Sequence, residues 1–183
     1  MSIGVLDIQG SVEEHLACLK KCGIKPVAVK SAEQITQLSG LIIPGGESTT
    51  IGDLMKAYGL EKELQAHSDL PIWGTCAGAI LLARMKIMDI EVERNAYGSQ
   101  LNSFEADVEI GLSNQKSKFH AIFIRAPRII SASNRAKILA EYEGSPIMVQ
   151  EGSKLATTFH PELTDDLRIH QYFLNLCNAS NNR

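Results

Sequence analysis

This sequence predicts an α/β protein: a three-layer α/β/α sandwich on a mainly parallel sheet with an antiparallel extension. Three observations carry that reading. The first half repeats short, wholly apolar runs, each followed by a helical pattern, as strands buried on both faces of a parallel sheet require. The second half changes to short strands joined by turns, with one amphipathic helix at its end. No repeat, low-complexity linker or compositional break divides the 183 residues, so a single domain spanning 1–183 is expected.

The elements follow in order. Ile3 to Ile8 is an apolar strand ended by Gln9-Gly10, after which Ser11 is the expected cap of a helix through Lys21, with Glu13 and Glu14 in its first turn. Gly23 stops that helix, and Pro26 to Val29 forms the second strand. A short helix over 32–38 leads to the third strand, Gly40 to Ile43, closed by Pro44-Gly45-Gly46. Ser48 or Thr49 is the expected cap of the next helix, which runs to about His67 with a break at Gly59. Leu70 to Trp73 is the fourth strand, and a tight turn passes into a helix from Ala77 to Met85. Short strands are then predicted over 88–93, 104–110, 119–124, 137–142, 147–150 and 154–159, as an antiparallel extension of the same sheet. Leu167 to Cys177 closes the chain as an amphipathic helix, and 178–183 reads as a frayed tail.

Composition narrows the function. A net charge of −3 without a dense basic run argues against a nucleic-acid partner. No segment approaches the ~20 apolar residues of a membrane span. MSIGVLDIQG reads as a strand rather than a signal peptide, so the cytoplasm is the expected compartment. Cys18, Cys22, Cys76 and Cys177 form no disulfide framework and no pair of CxxC motifs. Cys18 and Cys22 read as small packing residues on one helix, Cys177 as helix packing, and no metal site is expected.

Cys76 differs because it lies in Gly74-Thr75-Cys76-Ala77-Gly78, between an apolar strand and an apolar helix. A nucleophile on a sharp strand-to-helix turn needs small neighbours, the logic of the G-x-S-x-G elbow with sulfur in place of oxygen. The helix N-terminus favours a thiolate, and the Ala77 N–H is placed to hold an oxyanion. Alone, this motif reads equally well as a buried cysteine in a glycine-rich turn. Partners tip the balance. His160-Pro161-Glu162 offers a base and an acid to orient it, in a turn after a strand expected at the sheet edge. Pro44-Gly45-Gly46-Glu47-Ser48 supplies a second loop at the same end of the sheet, where glycine N–H groups can approach an oxyanion. Its spacing does not match a phosphate-binding G-x-x-x-x-G-K-[ST] loop.

The segments GVLDIQG, GLIIPGGESTT, GTCAG, ERNAYG, FIRAP and FHPELTDD occur in this order across nearly the whole chain. Together they resemble the glutaminase subunits of pyridoxal 5'-phosphate synthases, a branch of the class I (triad) glutamine amidotransferases. The resemblance implies a flavodoxin-like sandwich and hydrolysis of L-glutamine to glutamate and ammonia without metal or organic cofactor. It matches Cys76, His160 and Glu162 to a catalytic triad. Gly46, Glu47, Ser48, Arg94, Ile124 and Arg125 match substrate-binding positions, and Gly45, Gly46 and Ala77 fit the oxyanion role. Docking on a (β/α)8-barrel synthase subunit that receives the ammonia is also implied, with Gln9, Gly10 and His15 near the interface and little activity before docking. From the residues alone, Arg94 and Arg125 read as carboxylate binders or as surface ion pairs. His67, His120 and His170 carry no motif and read as surface or packing residues.

Two features depart from that family. Asp7 stands where a small or apolar residue is usual, and the stretch 84–89 is short. Rival readings are a glutaminase serving another synthase, such as that of histidine biosynthesis, a Cys-dependent peptidase-like relative, or an inactive binding module.

Overall fold

The computed structural model describes residues 1–94, 103–113 and 115–181. Strands β1 (Ile3–Leu6), β2 (Val27–Val29), β3 (Gly40–Ile43) and β4 (Ile72–Thr75) alternate with helices in the first half. Those helices are α1 (Val12–Lys21), α2 (Ala32–Ile35), α3 (Ser48–Ala57), α4 (Leu60–Ala66) and α5 (Ala77–Arg84). There follow β5 (Ile90–Glu93), β6 (Ser103–Leu112), β7 (Gln115–Ile124), β8 (Arg128–Ala132), β9 (Lys137–Tyr142), β10 (Ser145–Glu151) and β11 (Lys154–Thr157). A 3-10 turn (Pro161–Leu163) and α6 (Arg168–Asn181) end the described chain.

Nine strands form one sheet in the order β2-β1-β3-β4-β11-β10-β9-β6-β7. The first five are parallel, and the last four run on antiparallel. Helices cover both faces, which gives the flavodoxin-like three-layer sandwich. On one face Leu16 and Leu19 of α1 and Ile169 and Phe173 of α6 pack over Ile3, Val5, Ile42, Trp73 and Leu155. On the other, α2 to α5 bring Ile35, Ile51, Leu64 and Leu82 onto Ile43, Ile72 and Ala156. Burial of these side chains is what joins three layers whose elements are individually short.

Several expectations need correction. The strand before His160 is interior, not an edge, because β10 pairs along its free side. β5 leaves the main sheet and pairs with β8, a strand the sequence reading did not foresee, in a separate two-stranded ribbon. Only Ile129 of β8 is buried, so its pattern is too weak to stand out. Helix α3 is capped by neither Ser48 nor Thr49: Glu47 is the N-cap, its carboxylate accepting from the Thr49 and Thr50 N–H groups at 3.2 and 2.8 Å. The two residues of the expected frayed tail that continue the last helix most closely, Asn178 and Ala179, are helical, and the helix runs to Asn181 beyond a buried Cys177. Asp7 lies past the end of β1 and pairs with Lys30 Nζ at 3.2 Å, so its carboxylate does not occupy a strand interior. The short stretch after α5 closes as a tight turn in which Ile87 and Met88 N–H groups donate to the Leu82 carbonyl.

Candidate active site

Four loops meet at the carboxyl ends of the parallel strands, the place where doubly wound sheets bind ligands. They follow β1 (Gln9 to Ser11), β3 (Pro44 to Glu47), β4 (Cys76) and β11 (Thr158 to Glu162). The end of β7 arrives from the antiparallel side, with Ile122 C=O accepting from His160 N–H at 2.8 Å. The β1 loop is tied to the β3 loop because Ser11 N–H donates to Gly45 C=O at 3.0 Å and Gln9 Oε1 accepts from Glu47 N–H at 2.8 Å.

Cys76 sits on a strained elbow, with φ 47° and ψ −104°. A non-glycine residue at positive φ is costly and persists only where its surroundings enforce it. Here Cys76 N–H donates to Thr157 C=O at 2.8 Å, and α5 begins at the next residue. Gly78 permits the crossing: a Cβ there would lie 2.1 Å from the Ile43 carbonyl oxygen. The thiol is nearly buried, 7% exposed, and its Sγ stands 3.7 Å from Ile124 C=O.

His160 and Glu162 are also buried. His160 Nδ1 lies 2.7 Å from Glu162 Oε1, so the ring donates to the carboxylate and leaves Nε2 for the thiol. Burial disfavours the imidazolium, but hydrogen bonds to Cys76 and Glu162 outweigh it and hold the His160 pKa up at about 10. Burial likewise opposes ionisation of Glu162, whereas the imidazoles of His15 and His160 and the Ser11 hydroxyl keep it low, at about 2. Ser11 therefore does not cap its helix. Its hydroxyl donates to Glu162 Oε1 at 2.7 Å, a use no motif announced.

Beside the thiol lies a cavity of about 360 Å³ whose lining includes Gly46, Glu47, Cys76, Arg94, Arg125 and His160. That volume suits a small metabolite. Ala77, Gly45, Ser48 and Ile124 also reach its wall. At the mouth Arg94 Nη2 stands 3.2 Å from Glu47 Oε1, and Nη1 donates to Thr49 Oγ1 at 3.1 Å. Hydrogen bonds from Thr50, foremost its N–H, then from Thr49, together with Arg94, hold the Glu47 carboxyl at about 2. Arg125 adopts φ 44°, which turns the chain at the pocket after β7. Every predicted site residue thus falls in or beside one crevice. The rest of the ERNAYG motif, Asn95 to Gly98, lies outside the described residues. Among the described residues no cluster of His, Cys, Asp and Glu could hold a metal ion.

His15 is fully buried, and His170, read as a surface or packing residue, is fully buried beside it. Their Nδ1 and Nε2 atoms are 3.1 Å apart, and His15 Nε2 faces Glu162 Oε2 at 3.4 Å. The signal was available in helical spacing: His15 shares a stripe with Val12, Leu16 and Leu19, and His170 with Ile169, Phe173 and Leu174. His67 and His120 stand near carboxylates at the surface, as a reading without function expects.

A flavodoxin-like sandwich carrying cysteine, histidine and glutamate at the carboxyl ends of its strands defines a class, the triad glutamine amidotransferases. The model of the SNO glutamine amidotransferase family matches residues 5–179. The pyridoxal 5'-phosphate synthase subunit PdxT of Thermotoga maritima is 49% identical over 187 aligned residues, covering 96% of this chain and 99% of that one. The subunit of the same name from Kosmotoga olearia is also 49% identical, covering 95% of this chain and 96% of its own. A solved structure described as a glutamine amidotransferase superposes with a TM-score of 0.91 at 43% identity, covering 96% of this chain and 98% of that one. The chain belongs to the SNO glutamine amidotransferase family.

Proposed function

We propose that this chain is the glutaminase subunit of a pyridoxal 5'-phosphate synthase, acting as one unit over its whole length. The observation that carries the chemistry is the connected path from Cys76 through His160 to Glu162, with 2.7 Å between imidazole and carboxylate. His160 takes the proton of Cys76, and the sulfur attacks the δ-carbonyl of L-glutamine. Negative charge then develops on the carbonyl oxygen. Its donors are the Ala77 N–H, at a helix N-terminus without an intrahelical partner, and the Gly46 N–H. Gly45 serves the second donor indirectly: its carbonyl is held by Ser11, and in a trans peptide the Gly46 N–H points the opposite way. His160 protonates the departing ammonia, then draws a proton from water as that water cleaves the γ-glutamyl thioester. Glu162 holds the ring in the tautomer and orientation both steps need. Glu47, Ser48, Arg94, Ile124 and Arg125 frame the substrate, Arg94 and Arg125 supplying positive charge for its carboxylate.

The acceptor of the ammonia is a synthase subunit, read here as a (β/α)8 barrel, and two relatives named as subunits of that synthase support the assignment. We place the pair in the cytoplasm, where the four free thiols of this chain are at home. No helix among the described residues is long and apolar enough to cross a membrane. The test is ammonia release from glutamine with and without the synthase subunit, coupled to formation of pyridoxal 5'-phosphate. Cys76→Ala should abolish both while leaving fold and docking intact; full activity of that variant in the complex would refute the assignment.

A further inference from the structure

The triad ends on Glu162, yet the polar path in the core does not. Glu162 Oε1 is occupied by the Ser11 hydroxyl and by His160, each at 2.7 Å. Oε2 is buried without a close hydrogen bond among the described residues, and the group facing it is His15 Nε2 at 3.4 Å. The same nitrogen lies 3.2 Å from Thr75 Oγ1, on the residue preceding the nucleophile. Behind His15, its Nδ1 meets His170 Nε2 at 3.1 Å, and the path stops at His170 Nδ1, which has no partner among the described residues.

We propose that His15, backed by His170, is a positioning residue for Glu162: its Nε2–H donates to Oε2 and fixes the carboxylate in the orientation that presents Oε1 to His160. This rests on the amidase reading above and extends it inward by one shell of side chains.

Proton placement follows from counting donors and acceptors. With the proton on His15 Nε2, the carboxylate gains a donor and His15 Nδ1 accepts from His170 Nε2–H. Only a lone pair on His170 Nδ1 then goes unmatched. The reverse arrangement buries an N–H on His170 without an acceptor and leaves Glu162 Oε2 without a donor, two deficits instead of one. Both rings are neutral. Burial lowers the His15 pKa, with Glu162 and Glu14 opposing and His160 reinforcing, and burial next to His15 drops His170 to about 3. A neutral imidazole suits this role, because it steadies the carboxylate without cancelling the charge His160 needs.

Packing alone does not account for the pair. His15 and His170 sit edge-on to Trp73, inside a cluster with Phe173 and Leu16 that apolar side chains would fill at lower cost. Among the described residues their polar atoms lead only toward Glu162 and Thr75. The path therefore touches the acid of the triad and the residue adjoining its nucleophile.

The test uses the full chain with its synthase subunit. His15→Leu should lower kcat roughly 10-fold to 100-fold, the range a hydrogen bond to a charged group supports, with KM for glutamine little changed. The pH at which iodoacetamide begins to alkylate Cys76 should rise by about one unit, because a looser Glu162 stabilises the imidazolium less. His15→Gln, whose amide nitrogen can take the place of Nε2, should recover most of kcat and the alkylation profile. A folded His15→Leu variant with wild-type kcat and profile overturns the proposal, as does a loss that His15→Gln does not recover while the profile stays unmoved. Should His15→Leu fail to fold, nitrogen NMR of the wild-type imidazoles decides: a neutral His15 protonated at Nε2 supports the proposal, and protonation at Nδ1 overturns it. Glutaminase activity surviving in Cys76→Ala would sink the amidase reading itself, a separate outcome from an insensitive His15.

Discussion

Gly45→Ala should disable catalysis without unfolding the protein. A Cβ at Gly45 would stand 2.4 Å from His160 Cε1, and ordinary contact begins near 3.4 Å. Gly45 lies outside the positive-φ region, so alanine meets no backbone strain there and the collision is the whole effect. Two movements relieve it. The loop cannot easily withdraw, because Gly45 C=O is held by Ser11 N–H at 3.0 Å. The ring must then retreat by about 1 Å from the Gly45 loop, a displacement that costs roughly 100-fold in rate. That corresponds to about 2.7 kcal/mol on the barrier. Its own tethers, Nδ1 to Glu162 and backbone N–H to Ile122, resist the shift and spread the strain into the triad. The assay is kcat for glutaminase in the synthase complex, beside a thermal melt and a cysteine alkylation rate. A wild-type kcat with an unchanged melt would refute the reasoning, since it would mean the loop yields and the ring stays.

Other perturbations separate catalysis from stability. Glu162→Gln should weaken the protein at neutral pH and lose that disadvantage in acid. The wild-type carboxyl has a folded pKa of about 2 against an ordinary 4.5, so its contribution is full above 4.5 and disappears as the pH falls toward 2. Urea melts of both proteins across that range should converge, and parallel curves would contradict the assignment. Ser11→Ala removes a hydroxyl donor from Glu162 Oε1, and kcat should fall by about 10-fold, the worth of one charge-assisted hydrogen bond; an unaltered kcat would show that the contact is idle. Lys154→Met strips Nζ from the Ser68 and Leu70 carbonyls at the start of β4, far from the crevice. Stability should drop by about 2 kcal/mol in denaturant melts, with kcat retained.

Legibility in the sequence followed the range of each signal. The parallel strands and their helices were readable because apolar runs and helical stripes are local and strong, and the glycines around Cys76 mark a turn whose crowding the Gly78 contact shows directly. The site was readable because each of its loops follows a strand, and a parallel sheet brings strand ends together whatever their separation in sequence. What could not be read depends on tertiary neighbours. Ser11 carries the signature of a cap, yet its hydroxyl turns to a carboxylate 151 positions away. Glu47 was read as a substrate residue, and it is the cap expected at Ser48 or Thr49. β8 was missed because its burial depends on β5 beside it, and the interior place of β11 depends on strands that precede it in the chain.

The backbone hydrogen bonds at the crevice explain why so small a set of side chains can act together. Cys76 N–H is fixed to Thr157, at the end of β11; His160 N–H is fixed to Ile122 in β7; Ser11 N–H is fixed to Gly45, beside the ring of His160. Each bond joins two of the loops or strands that meet at the crevice, so none of them is free to place its side chains alone. Ordering these groups carries an entropy cost of about 1–2 kcal/mol per backbone residue, and here folding meets it before glutamine arrives. The strained φ of Cys76 persists for the same reason: leaving it would break the Thr157 bond and move α5 off Ile43. A donor aimed at a developing oxyanion is effective only when it need not reorganise during the reaction. In this fold the rigidity that donor needs comes from the sheet's own strand ends, which is why a thiol, an imidazole and a carboxylate can be drawn from positions 76, 160 and 162 and still meet at one crevice.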